Sequence, residues 1–152
     1  MGGGQENGLF SGTEPLPAIV GFGAAAAALP DPKQSLEKMR SLRRYLLEKV
    51  KTIPGVSVNS PAEGLPYILN LSAAGIPSQV MINYLSERGI YVSAGSACKK
   101  GHRSEVLTVM GLPPARIDSA IRVSMSRYTT FSELDAFADE LLTATKTIRT
   151  KL

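Results

Sequence analysis

The sequence of 152 residues contains one cysteine, one histidine and no tryptophan. A lone cysteine excludes an internal disulfide framework, and with a lone histidine it excludes a Cys/His zinc cluster. Long apolar runs are missing too. The longest, residues 18–29, is rich in Gly and Ala and falls short of the roughly 20 residues that a bilayer requires. The opening Met1-Gly-Gly-Gly-Gln-Glu6 has neither the basic nor the apolar stretch of a signal peptide. Charge of one sign is scarce: 17 Lys and Arg face 13 Asp and Glu, a net charge of +4. Positive residues gather only at Arg40, Arg43 and Arg44 and at Lys99, Lys100, His102 and Arg103, which gives no basic stripe for a phosphate backbone. These absences argue against a metal centre, nucleic acid and membranes, and make a soluble cytoplasmic protein the expectation.

The rest of the composition is ordinary for a globular chain: 43% hydrophobic and 20% charged residues, with 14 glycines and 10 prolines. A chain of this length suits one domain that buries roughly two thirds of its unfolded surface. The first 14 residues read as a Gly-rich polar leader. Five consecutive alanines predict a helix over residues 18–29, ended by Pro30-Asp31-Pro32. From 33 to 52, Leu36, Met39, Leu42, Leu46, Leu47 and Val50 recur at helical spacing. Strands are predicted at 56–58, 67–72, 90–93 and 120–125, and helices at 77–88 and 104–110, with a brief polar turn after Pro113-Pro114. Thr130 with Glu133 three residues on is a capping-box pattern opening a helix to about residue 149. Helices interleaved with short strands predict one α/β (α+β) sandwich, a small mixed or antiparallel sheet covered by helices.

Two residues stand out chemically. Cys98 lies in Ser93-Ala-Gly-Ser-Ala-Cys98 among small residues, with Lys99, Lys100 and His102 beside it. Exposure and neighbouring positive charge both favour a reactive thiolate, although a cysteine in a small-residue loop with incidental basic neighbours fits the same pattern. Arg122 sits in the apolar strand Ile121-Arg-Val-Ser-Met125, where a guanidinium is costly to bury unless an anion meets it. It suits bidentate capture of a carboxylate or a structural pair with Asp118, Glu133 or Asp135. The Ser11-Gly12-Thr13 turn could offer hydroxyls and N–H groups to a phosphate, but it matches neither the dinucleotide fingerprint nor the P-loop.

Together these segments resemble the C-terminal portion of the cysteine desulfurases, pyridoxal-phosphate (PLP) enzymes of the class V aminotransferase family. The resemblance runs from Gly2-Gly-Gly-Gln-Glu-Asn-Gly-Leu-Phe-Ser-Gly-Thr-Glu14 and Ile19-Val-Gly-Phe-Gly23 through Tyr67-Ile-Leu-Asn-Leu-Ser72. It is most specific at Ser93-Ala-Gly-Ser-Ala-Cys98 and Ile121-Arg-Val-Ser-Met-Ser-Arg-Tyr-Thr-Thr130. It implies the small C-terminal domain of a fold-type I transferase, with residues 1–30 a leader and helix from the large-domain interface and 31–152 the small domain. It implies a transferase that converts L-cysteine to L-alanine with PLP as electron sink. Sulfur would be left on Cys98 as a persulfide for a sulfur-acceptor protein in iron–sulfur cluster assembly or thiolation. By the same resemblance Arg122 holds the substrate carboxylate, and Thr13 reaches the cofactor phosphate across a homodimer interface.

The departures from that family are specific. No lysine here lies in the Ser-x-His-Lys setting that holds PLP, so the chain alone is expected to be inactive and to bind no cofactor covalently. Phe10 stands where the family usually has Arg before Ser-Gly-Thr, and the segment between Cys98 and the 106–111 region is short for a long mobile cysteine loop. Two other readings keep the scaffold: a class V aminotransferase or selenocysteine lyase in which Cys98 is incidental, and a non-enzymatic sulfur-carrier or docking module.

Overall fold

Helical and strand periodicities sort the chain, seen in a computed structural model that describes residues 3–94 and 103–148. After a 3-10 turn at Gln5–Gly8 the elements are α1 (Leu16–Ala27), α2 (Pro32–Lys51), β1 (Val56–Val58), β2 (Ile68–Ala73) and α3 (Ser78–Ser86). There follow β3 (Ser93–Ala94), α4 (Glu105–Val109), α5 (Pro114–Asp118), β4 (Ala120–Ser124) and α6 (Phe131–Thr147). The chain divides into two compact units, Met1–Pro32 and Lys33–Leu152.

In the first unit, α1 starts at Leu16, before the alanine run, because proline is tolerated in a first turn where its missing N–H has no partner to lose. The helix buries none of its residues, and Leu16, Val20 and Phe22 are largely exposed.

The second unit is built on a four-stranded sheet in the order β1-β2-β4-β3, with every neighbouring pair antiparallel. The mixed alternative is thus excluded. Strand alternation sends Leu69, Leu71 and Ala73 of β2 and Ile121 and Val123 of β4 to one face. There they meet Met39, Leu42, Leu46 and Val50 of α2, Met81 and Leu85 of α3, and Leu134, Phe137 and Leu141 of α6, all buried in one core. Each such side chain contributes about 1.5 to 3 kcal/mol on burial. On the opposite face a small cluster of Leu107, Ile117 and Ala120 seats α4 and α5.

Two elements differ from their sequence patterns. The run 90–93 pairs with the sheet only at Ser93 and Ala94. Gly89, at φ +74°, turns the chain out of α3, and the Ile90 N–H returns to the Leu85 carbonyl at 3.0 Å, which removes it from any ladder. After Pro113 the expected turn is the helix α5, which Pro114 opens with a preset φ and whose Ile117 is buried.

Polar ties fix the helices over the core. Arg43, counted in the sequence with a basic cluster, is buried and donates to the carbonyls of Pro61 (2.7 Å), Ile68 (2.9 Å) and Leu65 (3.2 Å), bracing the approach to β2. Asp135 of α6 accepts from Lys49 (2.8 Å) and the Tyr45 hydroxyl (2.7 Å) of α2. Glu140 of α6 accepts from Arg88 (3.0 Å) and from Tyr84 (3.1 Å), over whose ring the guanidinium lies at 3.6 Å. Thr130 and Glu133 form the capping box at the start of α6.

Two outcomes follow. An Arg43→Met variant keeps most of the stem packing but leaves three carbonyls without their donor, and should lose about 2 to 4 kcal/mol in urea unfolding. A loss under about 0.5 kcal/mol would show the brace to be idle. Three carboxyls are more acidic when folded: Asp135 beside Lys49, Asp118 beside Arg103, and Glu133 on the Thr130 backbone N–H. A depressed folded pKa gives stability that is complete above the unfolded value and lost as pH falls through the folded one. The urea midpoint should therefore decline on acidification below about pH 4, and less steeply in Glu133→Gln.

Candidate functional site

The site is set by pairing in the middle of the sheet. The β2–β4 register places Asn70 opposite Arg122, and the β3–β4 register places Ser93 on the other flank of Arg122. All three belong to the sheet face away from the main core, because their neighbours Leu69, Leu71, Ile121 and Val123 occupy the core face. The sequence suggests a guanidinium pressed among apolar residues; the structure corrects this. Ile121 and Val123 point one way, and Arg122, between them, is exposed on the other.

The three carboxylates that the sequence offers as partners for Arg122 are engaged elsewhere. Asp118 makes a bidentate pair with Arg103, both contacts 2.7 Å, and the guanidinium holds the Asp118 carboxyl below the usual carboxylate range. Glu133 closes the capping box, and Asp135 binds Lys49 and Tyr45. Among the described residues nothing accepts a hydrogen bond from the Arg122 side chain. Beside it lies a cavity of about 220 Å³, floored by Ile68, Asn70 and Arg122 and walled by Asn59, Ser104, Val106, Leu107 and Met110. Ser104 holds the α4 wall in place by accepting from the Leu107 N–H at 3.4 Å.

Cys98, with Lys99, Lys100 and His102, lies outside the described residues. The residues that flank this segment are well held. Ser93 and Ala94 pair with Arg122 and Ile121, and Arg103 is locked to Asp118 at the end of α5.

Thr13 belongs to the first unit, where it is exposed in a turn whose Gly12 has φ +147°. Its hydroxyl has no partner among the described residues, so the turn fits a phosphate oxygen. The sequence has no lysine in the Ser-x-His-Lys setting, and Lys99, Lys100 and Lys151 lie outside the described residues. Lys49 is held in its charged form by its hydrogen bond to Asp135, which suits it to tying α2 to α6 and not to forming an imine. Among the described residues no group of His, Cys, Asp and Glu could hold a metal ion.

Sequence reasoning missed Asn59, Asn70 and Arg116, which share a hydrogen-bonded chain beside Arg122. The available signal was phase: in Ile68-Leu-Asn-Leu-Ser72, Asn70 and Ser72 alternate against the leucines, so a polar row on the second face was legible.

Comparison with known proteins gives a family and a fold. The aminotransferase class-V family matches residues 4–137. The cysteine desulfurase IscS of Vibrio campbellii is 35% identical over 152 residues, 97% of this chain and 37% of that protein. The NifS/IcsS protein homolog of Lactobacillus delbrueckii subsp. bulgaricus is 36% identical over 141 residues, 90% of this chain and 37% of that protein. Among solved structures, a NifS-like protein superposes with a TM-score of 0.78 at 33% identity, covering 95% of this chain and 37% of its own. The NifS-like protein from Rickettsia africae gives 0.76 at 31% identity, with 97% and 39% covered. The chain thus spans about 37% of the length of these curated relatives. With the family pattern running from the Gly-rich leader into α6, this chain belongs to the aminotransferase class-V family.

Proposed function

We propose that this chain is the C-terminal part of a PLP-dependent cysteine desulfurase, contributing the substrate-carboxylate site and the sulfur-accepting cysteine. The observation that carries this reading is Arg122, without an acceptor among the described residues and on the open face of the sheet, its strand paired with the β3 residues that lead to Cys98. Cys98 is five residues beyond Ser93, so chain geometry keeps the two within roughly 17 Å.

The division of work follows from the residues. Bound PLP supplies an electron sink for cleavage beside the amino-acid carbon. Arg122 takes the substrate carboxylate on its planar fork through two parallel N–H···O bonds, fixing the amino acid's orientation. The Cys98 thiolate attacks the substrate sulfur. The new S–S bond forms as the C–S bond breaks, the electron pair stays with the carbon, and that carbon takes up a proton. The balance is Cys98 thiol plus L-cysteine giving Cys98 persulfide plus L-alanine, with sulfur oxidised and carbon reduced. Lys99, Lys100 and His102 favour the thiolate through their positive charge. The persulfide then passes to a sulfur-acceptor protein serving iron–sulfur cluster assembly or thiolation.

Thr13 contacts the cofactor phosphate across a homodimer interface, and residues 1–30 belong to the interface of a larger domain that provides the PLP lysine. The apolar, unburied α1 supports this, since such a helix is stable when another surface covers it. Residues 31–152 form the small domain. A cytoplasmic setting accords with the described residues, among which no helix is long and apolar enough to cross a membrane.

In the whole enzyme, Cys98→Ser should retain bound cofactor, seen in its visible absorbance, and form no persulfide by mass spectrometry. Desulfuration of free cysteine at the unmutated rate would remove Cys98 from the reaction. Arg122→Met should raise KM for L-cysteine about 100-fold, with Arg122→Lys recovering only part, because an ammonium cannot reproduce the bidentate fork. An unchanged KM would refute the carboxylate role.

A further inference from the structure

The cavity beside Arg122 contains a second hydrogen-bond donor, and its orientation is dictated from a distance. A guanidinium can only donate. Arg116 of α5 gives its Nε–H to Asn59 Oδ1 at 3.1 Å and a terminal N–H to the Val58 carbonyl at 3.0 Å. With Oδ1 held there, Asn59 turns Nδ2 toward the sheet. It donates to Asn70 Oδ1 at 2.7 Å and to Ser72 Oγ at 2.6 Å, whose own proton goes to the Arg116 carbonyl at 2.6 Å. Asn59 and Ser72 are buried, so water does not compete for these bonds.

The consequence falls on Asn70. Its Oδ1 is occupied as an acceptor, so its amide cannot flip without setting one N–H₂ group against another. Its backbone is equally committed: the N–H goes to Ser60 Oγ at 2.8 Å, and the carbonyl accepts from Asn59 at 2.8 Å. Both Nδ2 protons are left without an acceptor among the described residues. Asn70 stands opposite Arg122 in the β2–β4 register and lines the same cavity. Side chains so paired lie about 5 Å apart at Cβ. Two adjacent donor groups, one of them charged and with no acceptor between them, suit an anion with more than one oxygen.

We infer that Asn70 is a second substrate-binding residue, donating Nδ2–H to the carboxylate held by Arg122, and that Asn59 and Arg116 are positioning residues that fix its orientation. This rests on the reading of Arg122 as a carboxylate site. Arg122 supplies charge and Asn70 supplies direction, so the amino acid is held against rotation about the Arg122 axis.

The test is an NMR titration of the full isotopically labelled chain with L-alanine, following the Asn70 side-chain amide and the Arg122 Nε–H, with L-alaninamide as the probe lacking a carboxylate. Both resonances should move with one Kd for L-alanine and stay still for the amide. Asn70→Asp should weaken binding at least about 20-fold by opposing one carboxylate with another, and Asn70→Ala about 5-fold. Arg116→Met should weaken it about 3-fold without touching the ligand. The unmutated chain provides the first readout, so a variant that fails to fold does not remove the test. An Asn70 amide that stays still while Arg122 moves, or an Asn70→Asp variant that binds as the unmutated chain does, would overturn the inference and leave the Arg122 reading standing. If neither resonance moves, or Arg122→Met binds normally, the carboxylate site itself is wrong.

Discussion

The antiparallel pairing of β2 with β4 does two jobs through one register. Its core side stacks Leu69, Leu71, Ile121 and Val123 beneath three helices, and its other side sets Asn70 beside Arg122. Because side chains alternate with a period of two, a slip of one residue would exchange the two sets. That slip would expose four aliphatic side chains at about 1.5 to 3 kcal/mol each and bury an unpaired guanidinium. The same burial that folds the sheet therefore presents the polar row, and the site needs no separate scaffold. What surrounds the row serves to hold it: α5 orients the amide through Asn59, and α4 walls the cavity.

The contrast among arginines sharpens the role of Arg122. Arg43 and Arg116 are satisfied by carbonyl or amide oxygens, Arg88 by Glu140 and the Tyr84 ring, and Arg103 by Asp118. Asp118, Glu133 and Asp135 each have a task in the fold. Arg40 and Arg44 also lack a partner among the described residues but stand exposed on α2, whereas Arg122 lies on an inner strand of the sheet, next to an amide whose donors are likewise unused among those residues, and this placement supports the proposed binding role.

Much of this was legible in the sequence because its signals are local. The helical spacing of Leu42, Leu46 and Val50 and the Thr130–Glu133 capping box located α2 and the start of α6, and the short β-prone runs located β1, β2 and β4. Other features depend on partners far along the chain. The 90–93 run looked like a full strand, but an N–H drawn back to α3 shortened it. Arg43 looked like surface charge and is a buried brace, since nothing nearby in sequence announces three waiting carbonyls. Arg122 was singled out for its apolar neighbours, although those neighbours face away from it. The Arg116–Asn59 contact joins residues 57 apart, beyond the reach of any periodicity.

The Arg43 brace differs in kind from the helix ties. Asp135 and Asp118 hold their cations with carboxylates that acid can neutralise, whereas a peptide carbonyl has no proton to gain in that range. Its grip on the Pro61, Leu65 and Ile68 carbonyls is accordingly indifferent to acidity. The last of these residues opens the strand that carries Asn70. Acid sensitivity is thus expected of the ties made by Asp135 and Asp118 and not of the brace at the entry to the central strand.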